Sequence, residues 1–170
     1  DYMSEIVGKL LVLARSDAGC EPINVQDVDV AGLLAELGQD LEALAQEKGL
    51  RLTLGPLDIV TARGDRVKLR QLFLNILDNA IRYTPAGGSI IGSVVRQDDR
   101  AVVSIEDTGI GIPEEHLPFI FERFYRVDKV RTDGEGGTGL GLAIATAITK
   151  MHGGSIEVES RVGDGTIFKI

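Results

Sequence analysis

Asn75, Asn79, Arg82 and Tyr83 fall three or four residues apart, which on a helix aligns two carboxamides, a guanidinium and a phenol along one face. Asn is worse than Ala in a helix by about half a kcal/mol. Two on one face point to a polar ligand, although two solvated asparagines would read the same way. Further along, Asp107 ends a run in which Ala101, Val103 and Ile105 share the apolar face of a strand. A carboxylate there is costly unless something donates to it. The exocyclic amine of an adenine could donate; so could a group of the protein, or the strand end could be exposed. Gly109 and Gly111 behind it would let backbone approach a flat ring closely. Gly136 to Ala143 is a glycine cluster opening a helix, where unpaired N–H groups and the helix dipole favour an anion. Gly134, Gly136 and Gly139 match G-x-G-x-x-G, but no strand precedes them as a dinucleotide fold needs, and no Lys-Ser or Lys-Thr follows as in a P-loop. Gly163 to Thr166, alone, is a turn.

These groups need elements to position them. A helix over 65–83, capped by Asp65, buries Leu69, Leu72, Phe73, Ile76, Leu77, Ala80 and Ile81 and stops at Thr84-Pro85. Residues 89–96 and 101–107 form a hairpin over Gln97 to Arg100. A short helical stretch is expected near 113–121, a mobile glycine-rich loop at 127–137, a helix over 140–151 and closing strands at 156–160 and 166–170. Before them come a helix over 2–15, a linker broken at Gly19 and Pro22, a strand at 24–28, a helix over 30–48 ended by Gly49, and short strands at 50–54 and 59–62 joined at Gly55-Pro56. The helix at 2–15 has nothing of its own to pack against and is expected to belong to a missing element. The sum is α+β, a layer of helices on one antiparallel-rich sheet.

The 170 residues, 44% hydrophobic, suit one domain with a sizeable core. A net charge of −8 argues against a nucleic-acid partner, which needs a basic stripe, but not against a phosphate ligand held by local donors and a metal. Cys20 is the sole cysteine, so no disulfide within the chain and no cysteine metal site can form, which fits a reducing compartment. His116 and His152 lack partners at metal-ligand spacing and read as structural. No apolar run approaches a membrane span. The chain opens on Asp1, so it reads as an excised piece with any membrane segment upstream.

In this order the motifs resemble the nucleotide-binding boxes of bacterial sensor histidine kinases, within the GHKL or Bergerat-fold superfamily. Asn75 to Pro85 looks like the N box, Asp107 to Pro113 the first G box, Phe119 to Arg126 the F box, Gly137 to Leu142 the second G box and Gly163 to Thr166 the third. The resemblance covers 21–170; residues 1–20 look like the tail of the family's dimerisation helix plus linker. It implies a two-layer Bergerat sandwich, a mixed, mostly antiparallel sheet on three helices, binding ATP and Mg²⁺. By matching position, Asn79 would be the Mg²⁺ ligand and Asn75 its catalytic support. Arg82, where the family often has Lys, and Tyr83 would reach the phosphates, and Asp107 would accept from the adenine amine. Gly109, Gly111, Ile112, Tyr125, Thr138, Leu142 and Thr166 would line the pocket. Arg126 would sit catalytically near the γ-phosphate, and the backbone of Gly139, Leu140 and Gly141 would donate to phosphate under a lid at 127–137.

The implied activity is transfer of the γ-phosphate to a histidine of the dimerisation domain, for relay to a response regulator. The parent would be a homodimer anchored in the inner membrane, this part cytoplasmic and monomeric. No His-Glu-(Leu/Ile)-Arg-Thr-Pro run occurs in the sequence, so the chain is expected to bind Mg-ATP without phosphorylating itself. ATP hydrolases of the same fold, gyrase-like, MutL-like or heat-shock-chaperone-like, place a Glu base four residues before the magnesium Asn; here that residue is Asn75, which cannot take a proton. A degenerate binding module is the remaining alternative, disfavoured by the intact boxes.

Overall fold

The structure, a computed structural model, describes residues 2–127 and 137–170. The loop expected at 127–137 therefore lies outside the described residues except for its two ends. Helix α1 (Tyr2–Asp17) is followed by β1 (Gln26–Asp29), α2 (Val30–Glu47), β2 (Arg51–Leu57), β3 (Thr61–Gly64), α3 (Arg66–Tyr83), β4 (Ser89–Gln97), β5 (Arg100–Asp107), a 3₁₀ turn (Glu114–His116), α4 (Gly141–Met151), β6 (Glu157–Arg161) and β7 (Gly165–Lys169). The main sheet runs β2-β4-β5-β7-β6, parallel between β2 and β4 and antiparallel elsewhere. The predicted mixed sandwich is thus present.

Local chemistry sets the helix ends. Asp29 accepts from Gly32 N–H at the start of α2. At its end Gly49, at φ +70°, and Leu50 return N–H bonds to Gln46 and Ala45, a Schellman close. Asp65 caps α3 by accepting from Val67 and Lys68 N–H, while its other oxygen accepts from Asn24 N–H of the linker. Burial alone would raise the Asp65 pKa, but these three donors outweigh it and hold the carboxyl below its ordinary value. Its own N–H donates to His152 Nε2 at 2.9 Å, and His152 Nδ1–H donates to Ile148 O at 2.8 Å. One nitrogen accepts and the other donates, so the ring is held as a single neutral tautomer that ties the end of α4 to the start of α3. His152 is structural, as expected.

Three expectations need correction. The strands around Gly55-Pro56 are not joined there: β2 runs on to Leu57 through a register shift, and β3 leaves to pair with β1 in a separate two-stranded sheet. The stretch at 113–121 holds only one 3₁₀ turn followed by further turns. Helix α1 also does have a surface to pack on. It docks on α4, with Leu13 buried and Ile6 and Leu10 against the core. Covered by α1 and α3, α4 leaves only Lys150 exposed. Under α2, α3 and α4 the core closes on Ile90, Val94, Val103, Ile105 and Phe168 of the sheet.

Candidate functional site

A cavity of about 620 Å³ opens between the C-terminal half of α3, the first turn of α4, the ends of β5 and β7 and the turn after Asp107. That volume suits a cofactor-sized ligand. Ile112, Ile120 and Phe168 give it an apolar wall.

Asp107 sits at one end, paired in register with Ile90 of β4 and Thr166 of β7. Its side chain lies on the buried face, as the alternation predicts. Burial pushes its pKa up; the N–H groups of Gly109 and Thr166 pull the other way, and Glu106 adds to the rise. Oδ1 accepts from Gly109 N–H at 2.8 Å, so the protein supplies part of the donor set and the cavity faces the rest. The glycines here answer to the protein's own backbone rather than to a ring. A Cβ on Gly111 would lie 2.0 Å from Arg161 O, and one on Gly165 1.9 Å from Asp107 O. Ser160, which carries no motif, organises this end. Its Oγ accepts from Ile112 N–H and donates to Gly165 O, so at the 2.8 Å contact the Thr166 hydroxyl must be the donor.

The other end is α3 against α4. The α4 N-terminus has no capping side chain, unlike α2 and α3. Gly141 faces Asn75, whose Oδ1 would be in ordinary van der Waals contact, 3.7 Å, with a Cβ there. Asn75 Nδ2 is buried without a partner, a cost of about 1–3 kcal/mol that a ligand acceptor would remove. Asn79, Arg82 and Tyr83 line the same wall. Arg82 pairs with Asp78 at 3.4 Å and lies beside Gly137. Tyr125, Arg126, Thr138, Gly139 and Leu142 complete it.

Of the residues singled out from the sequence, Gly109 and Leu140 are not brought to the cavity. Gly109 is spent on Asp107, and Leu140 is buried with its N–H on Thr138 Oγ1. Sequence reasoning missed Lys9, Asp78 and His116. Asp78 could have been found from its i,i+4 spacing to Arg82. His116 lines the cavity and bonds Tyr125 OH through Nδ1 at 2.6 Å, a contact with no local signal. No group of three His, Cys, Asp or Glu that could hold a metal occurs among the described residues.

Residues 64–170 match the family model for the histidine kinase-, DNA gyrase B-, and HSP90-like ATPase. The chain is 38% identical over 166 residues to the phosphate regulon sensor protein PhoR of Pseudomonas aeruginosa, covering 98% of this chain and 38% of that protein. It is 38% identical over 168 residues to the sensor protein SrrB of Staphylococcus aureus, covering 99% and 29%. It therefore spans well under half the length of these relatives. The crystal structure of full-length ShkA in complex with AMPPNP superposes with a TM-score of 0.88 at 30% identity, covering 99% of this chain and 35% of that one.

Proposed function

The chain belongs to the histidine kinase-, DNA gyrase B-, and HSP90-like ATPase family, and from that premise we propose that its cavity binds Mg-ATP as the catalytic part of a sensor histidine kinase. Residues 21–170 form the catalytic domain, and residues 1–20 are the tail of a dimerisation helix with its linker. The γ-phosphate passes to a histidine of the dimerisation domain of a homodimeric, membrane-anchored parent, and then to a response-regulator aspartate. The two sensor proteins among the relatives and the AMPPNP of the ShkA structure support this reading.

The observation that carries it is the buried, unpartnered amide of Asn75 beside the uncapped first turn of α4. Such a corner takes an anion with acceptor oxygens. Asn79 would offer one amide oxygen to Mg²⁺. So sparse a protein donor set fits an ion that arrives with phosphate oxygens and water filling its shell. When bound, the metal would neutralise charge on the phosphates. Arg82, Tyr83 and Arg126 orient the phosphates, Asp107 receives the adenine amine, and Ile112, Ile120 and Phe168 flank the base. Since Asn75 cannot accept a proton, water is not activated and transfer rests on positioning.

Calorimetry with Mg-ATP and with ATP in EDTA tests this. Micromolar binding by the native chain that needs magnesium, and loss of the magnesium effect in Asn79→Ala, is expected. A folded native chain that takes no ATP would make it a degenerate module. Release of phosphate at a steady rate by the chain alone would make it a hydrolase.

A further inference from the structure

Helix α1 turns Ile6, Lys9, Leu10 and Leu13 toward the domain, the spacing of one helical face. Leu13 is 2% exposed, Ile6 and Leu10 pack on the core, and Lys9 is half-buried among them. The contact runs through α4, whose first turn walls the cavity, and Asp17 at the end of α1 pairs with Arg123. Lys9 itself lines the cavity, together with Asn75, Arg82, Arg126 and Gly141.

Taking the cavity as the Mg-ATP site proposed above, we infer that Lys9 is a nucleotide-contacting residue: α1 supplies an ammonium to the phosphate end, so that docking of α1 and binding of polyphosphate reinforce each other. The route of approach points to that end. Asp107 marks the base end, between β4 and β7, whereas α1 arrives over α4, whose N-terminus favours anions. The chemistry of this end calls for the added charge. Arg82 is partly offset by Asp78, which leaves Arg126 as the other guanidinium of the lining to meet a triphosphate. Lys9 is engaged by a neighbour within the chain, but an ammonium has three donors and can take phosphate as well. Half-buried, it is screened less than a surface charge. If phosphate stabilises the docked lysine, the docked lysine stabilises bound phosphate by the same factor.

The test uses the full 170-residue chain and titrates native, Lys9→Gln and Lys9→Arg with Mg-ATP and with adenosine. Lys9→Gln should weaken Mg-ATP about tenfold, the scale of one charge-assisted hydrogen bond, and leave adenosine unchanged. Lys9→Arg should restore most of the loss. Mg-ATP, but not adenosine, should slow amide exchange in α1 of the native chain. In a Leu13→Ala background, where α1 is loosened, Lys9→Gln should have no further effect. Equal Mg-ATP affinity in native and Lys9→Gln would sink the inference alone. Equal weakening of both ligands would overturn it too, by showing a general disturbance of the domain. A native chain that binds no Mg-ATP would sink the reading of the cavity and this inference with it.

Discussion

Asp107→Asn tests the base end of the site. The native carboxylate is 7% exposed, gives one oxygen to Gly109 N–H, and has its pKa raised by burial. Asn keeps the size and an acceptor for Gly109 but turns the other oxygen into a donor, which then faces the adenine amine as donor to donor. A hydrogen bond to a charged group contributes about 1.5–3 kcal/mol, so the Kd for Mg-ATP should rise about 10- to 150-fold. Inosine triphosphate carries a carbonyl where adenine carries the amine. The native site should reject it, and the variant should accept it better than the native does.

Stability separates this role from a scaffold role. A carboxyl whose pKa is raised on folding contributes stability that is full below about pH 4 and is lost as pH rises through its folded value. Asn does not titrate, so the native chain should gain stability relative to the variant as pH falls from 7 toward 4, while at pH 7 the variant should melt close to the native. Calorimetry with both nucleotides and melts across that range decide the matter. An unchanged ATP-to-inosine-triphosphate preference, or a variant that has already collapsed at pH 7, would refute the reasoning.

Asp65→Ala removes the α3 cap and the tie to Asn24, and should cost about 1–3 kcal/mol in denaturant melts at pH 7. Because the Asp65 pKa is lowered, its contribution is present above about pH 4 and lost as pH falls through the folded value; the native-to-variant gap should close on acidification. Gly165→Ala would place a Cβ 1.9 Å from Asp107 O at φ +110° and should cost more than about 3 kcal/mol. Gly163→Ala, at φ +86° with nothing within 4 Å, should cost only about 1 kcal/mol of backbone strain by the same melts. Glu21 pairs with Lys68 at 2.6 Å, with side chains 10% and 14% exposed, so Glu21→Ala strands a buried ammonium and should cost about 2–4 kcal/mol; Glu21→Leu with Lys68→Met should recover most of it.

What was legible in the sequence is what acts locally. Helix α3 is readable from Asp65 to Thr84-Pro85 because cap, period and stop all lie within it. Asp107 is readable because strand alternation fixes its face before any partner is known. Helix α1 shows the limit. Met3, Ile6, Val7, Leu10 and Leu11 all fit a helical period, yet the fold splits them: Ile6 and Leu10 turn inward with Leu13, while Met3, Val7 and Leu11 stay exposed. Only the surface of α4 decides between the stripes, and with it whether Lys9 meets the cavity or solvent. Gly109 misleads in the opposite sense. It looks like room for a ligand, but a side chain there would meet the Asp107 carboxylate and Tyr83 O, whereas Gly111 lines the cavity while its other side is closed by Arg161 O of a distant segment. Ser160 has no motif at all, and its bonds to Ile112, Gly165 and Thr166 exist only once β6 and β7 pair.

The chemistry of the cavity then limits where a nucleophile can come from. Activating water needs a proton acceptor beside the terminal phosphate. Among the described residues lining the cavity, Asp78, Asp107 and His116 could accept a proton. Asp78 is paired with Arg82, Asp107 accepts from Gly109 N–H at the base end, and His116 bonds Tyr125 OH through Nδ1, which leaves Nε2 as its remaining nitrogen. At the phosphate end the position that would hold a hydrolase's Glu is an amide whose nitrogen is buried and unpaired, able to grip an oxygen but not to take a proton. If the cavity orients a triphosphate, an amide at that position suits a nucleophile that brings its own lone pair, as an imidazole does. Under the proposed function that imidazole belongs to the helical domain of which α1 is the tail, so the docking of α1 on α4 bears on both nucleotide affinity and access of the histidine.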